Sequence, residues 1–498
     1  MFKFFTRSKP QPKAEIEGKP NVSIVGSRRN FAAANTNRLV EDWFQMPLSP
    51  DAAAYGKLQI LRDRSRDLER NNPWVRGFLR TLENNVIGDS GIALQMRVKD
   101  DKSGKLDEVA NNILEDAWSR WNRVGNCTVC GRHTWRDLQK LIIRSIARDG
   151  EVLIRKVVTK TGLKLQILEA DLLDDHYNVI LDNGNIVRFG VEMDQFRAPV
   201  AYYLLGQHPG DVGYNVPAPH RTRIDASQIL HLYITDRPDQ TRGLPWLVSS
   251  MLALKMLDGY SQAELVAART GAAKMGFFTH ATPEGWIGEE DGDGNLSMDA
   301  SPGTIEDLPI GTEFQSWNND HPNSGYGDFI KSIMRSIATS LGISYNSLAS
   351  DLENVNFSSI RAGLLEEREV WKSLQTFLIE HACENIFTDW LSIELLQGRL
   401  GLPFNKLWKF DCPQFQGRRW GYVNPVQDMN ANILAIRSGQ KSLRQVIAET
   451  GGDVYDTMQS IKADNDLAAS LGIVLPELLG PTLKSGDRVV TDISSEGA

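Results

Sequence analysis

Residues 72–88 read NPWVRGFLRTLENNVIG, and this stretch carries the signals of one complete amphipathic helix. Asn72 followed by Pro73 is typical of a helix start, and Gly88 is typical of the residue just after a helix end. The apolar residues between these points recur at helical spacing and share one face: Val75, Phe78, Leu79, Leu82 and Val86. The stretch therefore predicts a helix that packs against a core.

The chain around this helix predicts an α+β unit. Helices are predicted over residues 106–121 and 135–148, and a strand over residues 91–99. Residues 151–234 then contain five short runs rich in β-branched and aromatic residues, which are VLIRKVV, LKLQIL, IVRFGVEM, VAYYLL and ILHLYI. Because turn residues separate these runs, we predict a set of short strands.

The next region predicts a helical hairpin with an insertion at its tip. Residues 246–274 and 326–341 have helical patterns, and the latter is followed by Gly342. Residues 275–325 between them hold several prolines, many glycines and the acidic run 289–291. That composition predicts a small module of short strands and turns.

The last third of the chain predicts a loop, a long helix and further helices. Residues 344–356 form a polar loop, and residues 358–396 predict one unusually long helix. Its buried stripe is predicted at Leu364, Trp371, Leu374, Leu378 and Ile386. Residues 397–422 are loop-like and residues 425–470 are helical again, while the polar residues 1–45 predict a flexible N-terminal arm.

Composition excludes some classes of function. The chain has 498 residues and a formal net charge of −8, whereas proteins that grip duplex DNA through its phosphates usually carry clustered basic residues. The phosphate-binding loop pattern of nucleotide hydrolases does not occur in the sequence. No run approaches the roughly 18 apolar residues of a membrane span. The four cysteines are predicted to be free thiols in a reducing cytoplasm.

Residues 88–91 spell GDSG, which surrounds the nucleophile of some serine proteases. A catalytic Ser90 would need a histidine base and an oriented acid, and the tetrapeptide supplies neither. Glycine and aspartate are also expected turn residues at a helix end. We therefore predict a turn and no enzyme, and keep a hydrolase as an alternative.

Cys127, Cys130 and His133 have metal-like spacing and are weak candidates for metal ligands. A structural zinc site needs four ligands, usually as two pairs, and no second pair follows. Residues 289–295 look like a calcium loop but lack its glycine and its final glutamate. The prediction is no metal and no cofactor, with a zinc-dependent binding module as an alternative.

Several strings of the sequence resemble, in order, the lambda-type family of phage portal proteins. The strings are residues 66–86 with Gly88, 148–151 (RDGE), 229–231 (ILH), 239–246 (DQTRGLPW), 255–258 (KMLD), 341–345 (LGISY), 358–362 (SSIRA) and 420–428. The family pattern has tyrosine where this chain has Phe357, and residues 275–325 match poorly. Each string is short, and their order makes the resemblance specific.

The resemblance implies a portal fold assembled as a dodecameric ring. Its parts would be, in chain order, the arm 1–45, the wing 46–245, a stem helix 246–274, the clip 275–325, a second stem helix 326–343, the tunnel loop 344–356, the tunnel helix and wing return 357–424, and the crown with a polar tail 425–498. We expect the ring to lie at one capsid vertex of the virion, after assembly in the host cytoplasm.

The resemblance also implies partners. Double-stranded DNA would pass through the channel without sequence-specific contacts. The terminase large subunit would dock on the clip and supply ATP-driven packaging, and head-completion or adaptor proteins would replace it. Scaffold and major capsid proteins would contact the wing.

Site residues follow from the same resemblance. The DNA-facing tunnel loop would present Asp351, Glu353, Asn354 and Asn356. Sparse phosphate contacts in the stem are expected from Lys255, Arg269 and Lys274. Two alternatives stay open at this point: a protease of capsid maturation that uses Ser90, and a ring-forming structural protein without a DNA channel.

Overall fold

The computed structural model describes residues 47–101, 103–211, 220–272, 276–280, 289–290, 296–297, 312–316, 325–353, 356–449, 451–452 and 454–473. The predicted arm 1–45, most of the predicted clip, Lys274, Asn354 and the end of the polar tail lie outside the described residues.

The first part of the fold is helical, and its helices start and stop at local sequence signals. They are α1 (Pro50–Ala54), α2 (Leu58–Asn71), α3 (Pro73–Val86), α4 (Glu108–Trp121) and α5 (Trp135–Asp149). The Asn72 side chain accepts hydrogen bonds from the backbone N–H groups of Trp74 and Val75, at 3.1 and 3.2 Å. All five predicted apolar positions of α3 are buried. The prediction made from residues 72–88 is therefore confirmed.

Two antiparallel sheets follow these helices. One is ordered β3-β2-β9 and consists of β2 (Glu151–Thr159), β3 (Gly162–Leu168) and β9 (Ile229–Tyr233). The other has the sequential order β4-β5-β6-β7-β8 and consists of β4 (Val179–Ile180), β5 (Ile186–Arg188), β6 (Val191–Met193), β7 (Pro199–Leu205) and β8 (Arg221–Asp225). Because every one of these strand pairs is antiparallel, the predicted α+β class is confirmed.

Two strand predictions need correction. The run 186–193 is a hairpin rather than one strand, because Phe189 and Gly190 both have positive φ, at 49° and 78°, and reverse the chain. The predicted strand 91–99 shortens to β1 (Ala93–Met96). It pairs with β14 (Pro413–Gln416), inside a region predicted to be loop-like. Four-residue strands in contact across more than 300 positions leave no periodic signal in the sequence.

The helical hairpin has the predicted order. A 3₁₀ turn, Trp246–Ser249, precedes α6 (Met251–Ala272), so the regular helix starts later than predicted. The return helix is α7 (Tyr326–Ser340), and α8 (Tyr345–Ala349) occupies part of the segment predicted to be a loop. The residues that the structure describes between α6 and α7 form two antiparallel strand pairs, β10 (Gly276–His280) with β13 (Thr312–Ser316) and β11 (Glu289–Glu290) with β12 (Leu296–Ser297).

The long helix consists of α9 (Phe357–Leu378), one π-helical segment (Ile379–Cys383) and α10 (Glu384–Leu396). Trp371, Leu378 and Ile386 are buried as predicted, and Leu364 and Leu374 are half-buried. After a 3₁₀ turn (Phe404–Lys406) the chain continues through α11 (Leu407–Phe410), α12 (Pro425–Arg437), α13 (Leu443–Glu449) and α14 (Val454–Leu471). In the described residues, no helix has the length and apolar character required to cross a membrane.

An aromatic cluster joins the two halves of the chain in one core. The Trp118 ring of α4 lies 4.7 Å from the Trp121 ring, 5.1 Å from the Trp390 ring and 5.5 Å from the Phe387 ring, measured between ring centroids. Trp135 of α5 packs edge-on against Trp118 at 6.5 Å. Since Phe387 and Trp390 belong to α10, the long helix is packed into the α+β unit rather than separate from it.

Candidate functional site

The buried centre of the α+β unit is the carboxylate of Glu151, the first residue of β2. Its Oε1 accepts hydrogen bonds from Arg62 Nη2 and Arg242 Nε, each at 2.7 Å. Its Oε2 accepts from the backbone N–H of Gly243 and lies 2.9 Å from His231 Nε2. Glu151 has no exposed side-chain surface. Four donors from distant segments therefore converge on one carboxylate.

The protonation of this cluster follows from its surroundings. Burial opposes ionisation of Glu151, but the charges of Arg242 and Arg62 outweigh it, so the pKa of the carboxyl lies well below its ordinary value. Burial lowers the pKa of His231 below 6.5, so the imidazole is neutral at pH 7 and its Nε2–H donates to Glu151. The junction is therefore an ionised carboxylate held between two guanidinium groups.

Arg242 also fastens the two sheets to each other. Its Nη1 donates to the carbonyl of Phe189 at 2.9 Å, and its Nη2 donates to the carbonyl of Ala170 at 3.0 Å. Phe189 lies in the turn between β5 and β6, and Ala170 follows β3. One side chain thus connects a turn of the five-stranded sheet to the end of a strand in the three-stranded sheet.

Two glycines allow this approach of backbone to backbone. Gly150 has φ +90°, and a Cβ there would collide with the carbonyl carbon of Leu244. A Cβ on Gly243 would collide with the carbonyl of Gly150. Residues 148–151, 229–231 and 239–246, three of the strings that carried the family resemblance, therefore meet at this junction. Packing and charge pairing at the junction account for the residues of these three strings.

The hairpin packs at its base and through a ring cluster. Leu254 and Leu257 of α6 and Ile337 of α7 are buried. The Tyr260 ring lies 5.2 Å from the Phe329 ring and 5.7 Å from the Tyr326 ring. These contacts hold α6 and α7 together along their length.

Other apolar residues of α6 have no cover in the described part of the chain. Leu252, Met256, Leu265 and Val266 are 74%, 68%, 72% and 62% exposed. Four large apolar side chains on one helix exceed the scattered exposure usual for a monomer. This exposed α6 surface is suited to contact another protein surface.

Two of the three cations predicted for the stem, Lys255 and Arg269, are on this helix. Lys255 and Arg269 are exposed, and the described residues provide no ion pair for either of them. Both are therefore available to solvent or to an anionic partner.

The segment after α7 is ordered by its own side chains. Tyr345 Oη donates to Asp351 at 3.0 Å, and the backbone N–H of Glu353 donates to Asp351 at 2.9 Å. The Glu353 N–H and the Tyr345 hydroxyl lower the pKa of Asp351, so this residue is an anion at neutral pH. Lys331 Nζ lies 3.9 Å from Asp351 and 3.7 Å from Glu353.

Asn356 caps α9 by accepting a hydrogen bond from the backbone N–H of Ser359 at 2.8 Å. Glu367 of α9 anchors residues 344–347, at the start of the segment that follows α7. It is only 7% exposed and accepts from the Ser344 backbone N–H at 3.2 Å and from Ser347 Oγ at 2.8 Å. Glu367 stands in the charged run 366–369, and the sequence alone does not indicate its buried role.

Ser90 lies at an exposed turn whose flanking glycines, Gly88 and Gly91, both have positive φ. The pocket that Ser90 lines, about 570 Å³, is formed by residues such as Trp118, Asn122 and Gln139, and no histidine is among its described lining residues. The histidine base that a serine nucleophile requires is thus missing from the described surroundings of Ser90.

The Cys127 thiol is buried and donates to the carbonyl of His133 at 3.4 Å. Burial raises the pKa of Cys127 to about 11, so it is a neutral thiol. Cys130 is exposed, and a hydrogen bond from the Arg132 backbone lowers the pKa of its thiol. Within the described residues, these side chains do not form a three-ligand group.

A different trio has metal-like geometry. The ligand atoms of Glu169, Asp171 and His208 all lie within 4.8 Å of one another. However, the Gly210 backbone N–H donates to His208 Nδ1 at 3.0 Å, so Nε2 carries the proton and points to the two carboxylates, at 3.3 and 3.4 Å. Asp171 is also paired with Arg66. The arrangement fits a histidine donor between carboxylates better than a metal site.

Comparisons with known proteins agree with the order of these elements. A family model described as "Phage portal protein, lambda family" matches residues 36–375. The probable portal protein of Halomonas phage phiHAP-1 is 34% identical over 463 residues, which cover 90% of this chain and 88% of the relative. The portal protein of Escherichia phage N15 is 20% identical over 92% of this chain and 93% of its own length.

Among solved structures, a chain from the neck of a native GTA particle computed with C12 symmetry aligns with 78% of this chain and 93% of its own length. Its sequence identity is 15% and its TM-score is 0.39, a similarity too distant to support further inference. The extent of the family match and the 34% identical relative define a phage portal protein, and the chain belongs to the lambda family of these proteins.

Proposed function

We propose that this chain forms a dodecameric ring at one vertex of a tailed-phage capsid and that the ring is the channel for DNA during packaging and ejection. Membership of the portal family supports this function. The exposed α6 surface supports assembly, since isolated subunits would leave large apolar side chains in water.

The parts of the ring follow the element order. The wing is residues 46–245, the stem is the pair 246–274 and 326–343, and the clip is 275–325. The tunnel loop is 344–356, the tunnel helix with the wing return is 357–424, and the crown with its tail is 425–498. The paired hairpin helices and the long helix after a short loop support this assignment.

DNA passes through the proposed channel without being bound tightly. Asp351 and Glu353 are anions in the loop, and Asn354 and Asn356 are neutral polar residues, so phosphate meets repulsion or weak contact there. Lys255, Arg269 and Lys274 supply sparse cations in the stem. The net charge of −8 supports a channel in which DNA slides.

The proposed ring acts as a docking platform rather than as an enzyme. The terminase large subunit docks on the clip and hydrolyses ATP. The absence of a phosphate-binding loop from this sequence supports a motor that is a separate protein. Head-completion or adaptor proteins then take its place, and scaffold and major capsid proteins contact the wing. The ring assembles in the host cytoplasm and remains in the virion.

Electron microscopy with native mass spectrometry of the purified chain tests the ring and its interface together. We expect a dodecameric ring with an open axial channel from the wild type. The double variant Leu265→Asp with Val266→Asp places two charges on the exposed α6 surface and should reduce ring formation at least tenfold, because two buried carboxylates without partners are costly.

The matched control is Val109→Asp, which adds the same charge at a 71% exposed valine on α4. This variant should form rings like the wild type. Rings from the double variant at wild-type yield contradict the interface, and absence of rings even with scaffold and capsid proteins contradicts the proposed function.

A further inference from the structure

A pocket rich in arginine lies where α2, α3 and α5 meet, away from the hairpin and the loop. Its volume is about 440 Å³, and five guanidinium side chains line it: Arg66, Arg70, Arg76, Arg144 and Arg148. In a chain of net charge −8, this concentration of positive charge is exceptional. The pocket is open to solvent, so a ligand has access to it.

The two arginines of α5 are held by fixed carboxylates. Arg144 Nη2 is 2.7 Å from Glu69, and its Nη1 is 2.5 Å from Glu83. Arg148 is 3.2 Å from the other oxygen of Glu69 and 2.6 Å from Asp149. Because each guanidinium has two carboxylate partners, its orientation in the pocket wall is set before any ligand arrives.

Arg66 of α2 completes the fixed wall. Its Nε donates to Asp149 at 2.8 Å, and its Nη1 pairs with Asp171. Its Nη2 is buried and has no hydrogen-bond partner among the described residues. An acceptor on a bound ligand would satisfy this donor.

Arg70 and Arg76 carry the excess charge of the pocket. Both are exposed, and no ion pair is formed by either within the part of the chain that the structure describes. Arg70 is in the last turn of α2 and Arg76 is in the first turns of α3, on the two sides of Asn72. Two free guanidinium forks at the mouth of a pre-organised pocket are suited to bind an anion.

Guanidinium groups bind both carboxylates and phosphates, so the shape of the pocket decides whether an acidic peptide or DNA fits it. A duplex binder needs cations spread along the path of the phosphates, and a stiff duplex enters a concave pocket only if it bends. Here the cations converge on one cavity rather than along a line. A flexible chain that inserts single carboxylates fits this geometry.

We propose that this pocket binds an acidic segment of a partner protein through glutamate or aspartate side chains that pair with Arg70 and Arg76. The site is independent of the proposed DNA channel, since none of its residues belongs to the hairpin or to the loop. It provides the α2–α3–α5 face with a docking site specific for carboxylates.

Fluorescence anisotropy of the full-length protein with fluorescein-labelled hexaglutamate tests the site. Arg70→Gln combined with Arg76→Gln should raise the dissociation constant about tenfold, as expected for two solvent-accessible ion pairs. Binding to the wild type should weaken as salt is added, because the contacts are ionic. Circular dichroism and the urea midpoint of the double variant should equal those of the wild type, since both residues are exposed.

The matched control is Arg64→Gln with Arg80→Gln, which removes two exposed arginines from the same two helices outside the pocket. This control should leave hexaglutamate binding within about twofold of the wild type. An equal loss in the control, or no loss in the Arg70–Arg76 variant, overturns the proposal.

Two further arms separate the other occupants. A labelled short duplex DNA that binds as tightly as hexaglutamate, with the same loss in the Arg70–Arg76 variant, overturns the proposal in favour of phosphate. A change of oligomeric state in that variant, seen by size-exclusion chromatography, overturns it in favour of a second copy of the chain.

Discussion

The Glu151 junction and the hairpin with its loop handle charge and apolar surface in opposite ways. At the junction, Glu151, Arg62 and Arg242 are at most 1% exposed and form ion pairs with one another. On the hairpin, large apolar side chains such as Leu252 and Leu265 are more than 70% exposed, and Lys255 is solvent-accessible. The charges of the first region are paired with one another, whereas the described residues leave the apolar side chains of the second uncovered.

The two regions therefore differ in what they contribute to the protein. A buried ion cluster is rigid, because removing any partner leaves an uncompensated charge in low dielectric. An exposed helix with apolar and basic residues costs the single chain little and supplies contacts to neighbours or to DNA. The α+β unit therefore holds its shape, while the hairpin and loop carry the surfaces that we propose for ring assembly and for passage of DNA.

The largest effect is expected at Glu151. Glu151→Gln keeps the shape of the side chain but leaves Arg242 buried without its carboxylate partner and Arg62 paired with Asp171 alone, which should cost about 3–5 kcal/mol of unfolding free energy. Urea unfolding followed by tryptophan fluorescence measures this loss. Glu380→Gln, at an exposed position of the long helix, is the control and should change the unfolding free energy by less than about 0.5 kcal/mol.

A smaller loss is expected from Gly150→Ala. The added Cβ meets the backbone of Leu244 at a residue with φ +90°, so overpacking and strain should together cost about 1–3 kcal/mol. Gly77→Ala, within α3 and with no heavy atom within 4 Å of its new Cβ, should instead stabilise the helix by about 0.5–1 kcal/mol. Equal effects of the two variants on the unfolding free energy would show that the contact between Gly150 and Gly243 does not contribute to stability.

Glu367→Ala tests whether the loop region also depends on one buried carboxylate. The variant removes the acceptor for Ser344 N–H and Ser347 Oγ and should cost about 1–2 kcal/mol. Hydrogen exchange of residues 344–349 should become faster, because α8 loses its anchor. Glu366→Ala, the exposed neighbour, serves as the control and should leave exchange in this segment unchanged.

The smallest effect concerns a buried carboxylate whose partner reaches solvent. Hydrogen bonds from Arg223, Asn185 and Tyr203 lower the pKa of Glu192 from 4.5 to about 2. A depressed pKa stabilises the folded state above pH 4.5, and this stabilisation is lost as the pH falls from 4.5 towards 2. Glu192→Gln should therefore reduce the slope of unfolding free energy against pH in that window, and an unchanged slope would contradict this role.

Local rules predicted much of the fold. The start of α3 at Asn72 and Pro73, its buried face, the order of the hairpin and the long helix all depend on neighbours within a few residues in sequence. The predictions failed where the partner is distant: β1 pairs with β14 across more than 300 residues, and Glu367 turns inward to meet Ser344. No periodic pattern records such contacts.

The site residues show the same contrast between features set by neighbours in sequence and features set by distant contacts. The structure places Asp351, Glu353 and Asn356 in one short segment before the long helix, and it leaves Lys255 and Arg269 exposed on α6. Their contact with DNA stays a prediction. The junction at Glu151 and the arginine pocket were not predicted, because their residues come from separate helices and strands and meet only after folding.

The sequence by itself determined the limits of helices such as α3, the α+β class and, through its ordered strings, the family of the chain. These properties depend on short-range sterics, capping and periodicity, which are encoded within a few turns of chain. Only the tertiary structure decided that Gly150 and Gly243 are in contact, that Glu151 lies between two arginines, and that Arg70 and Arg76 have no carboxylate partner among the described residues. Those outcomes depend on which distant groups share a low-dielectric interior or an open pocket, and that is a property of packing.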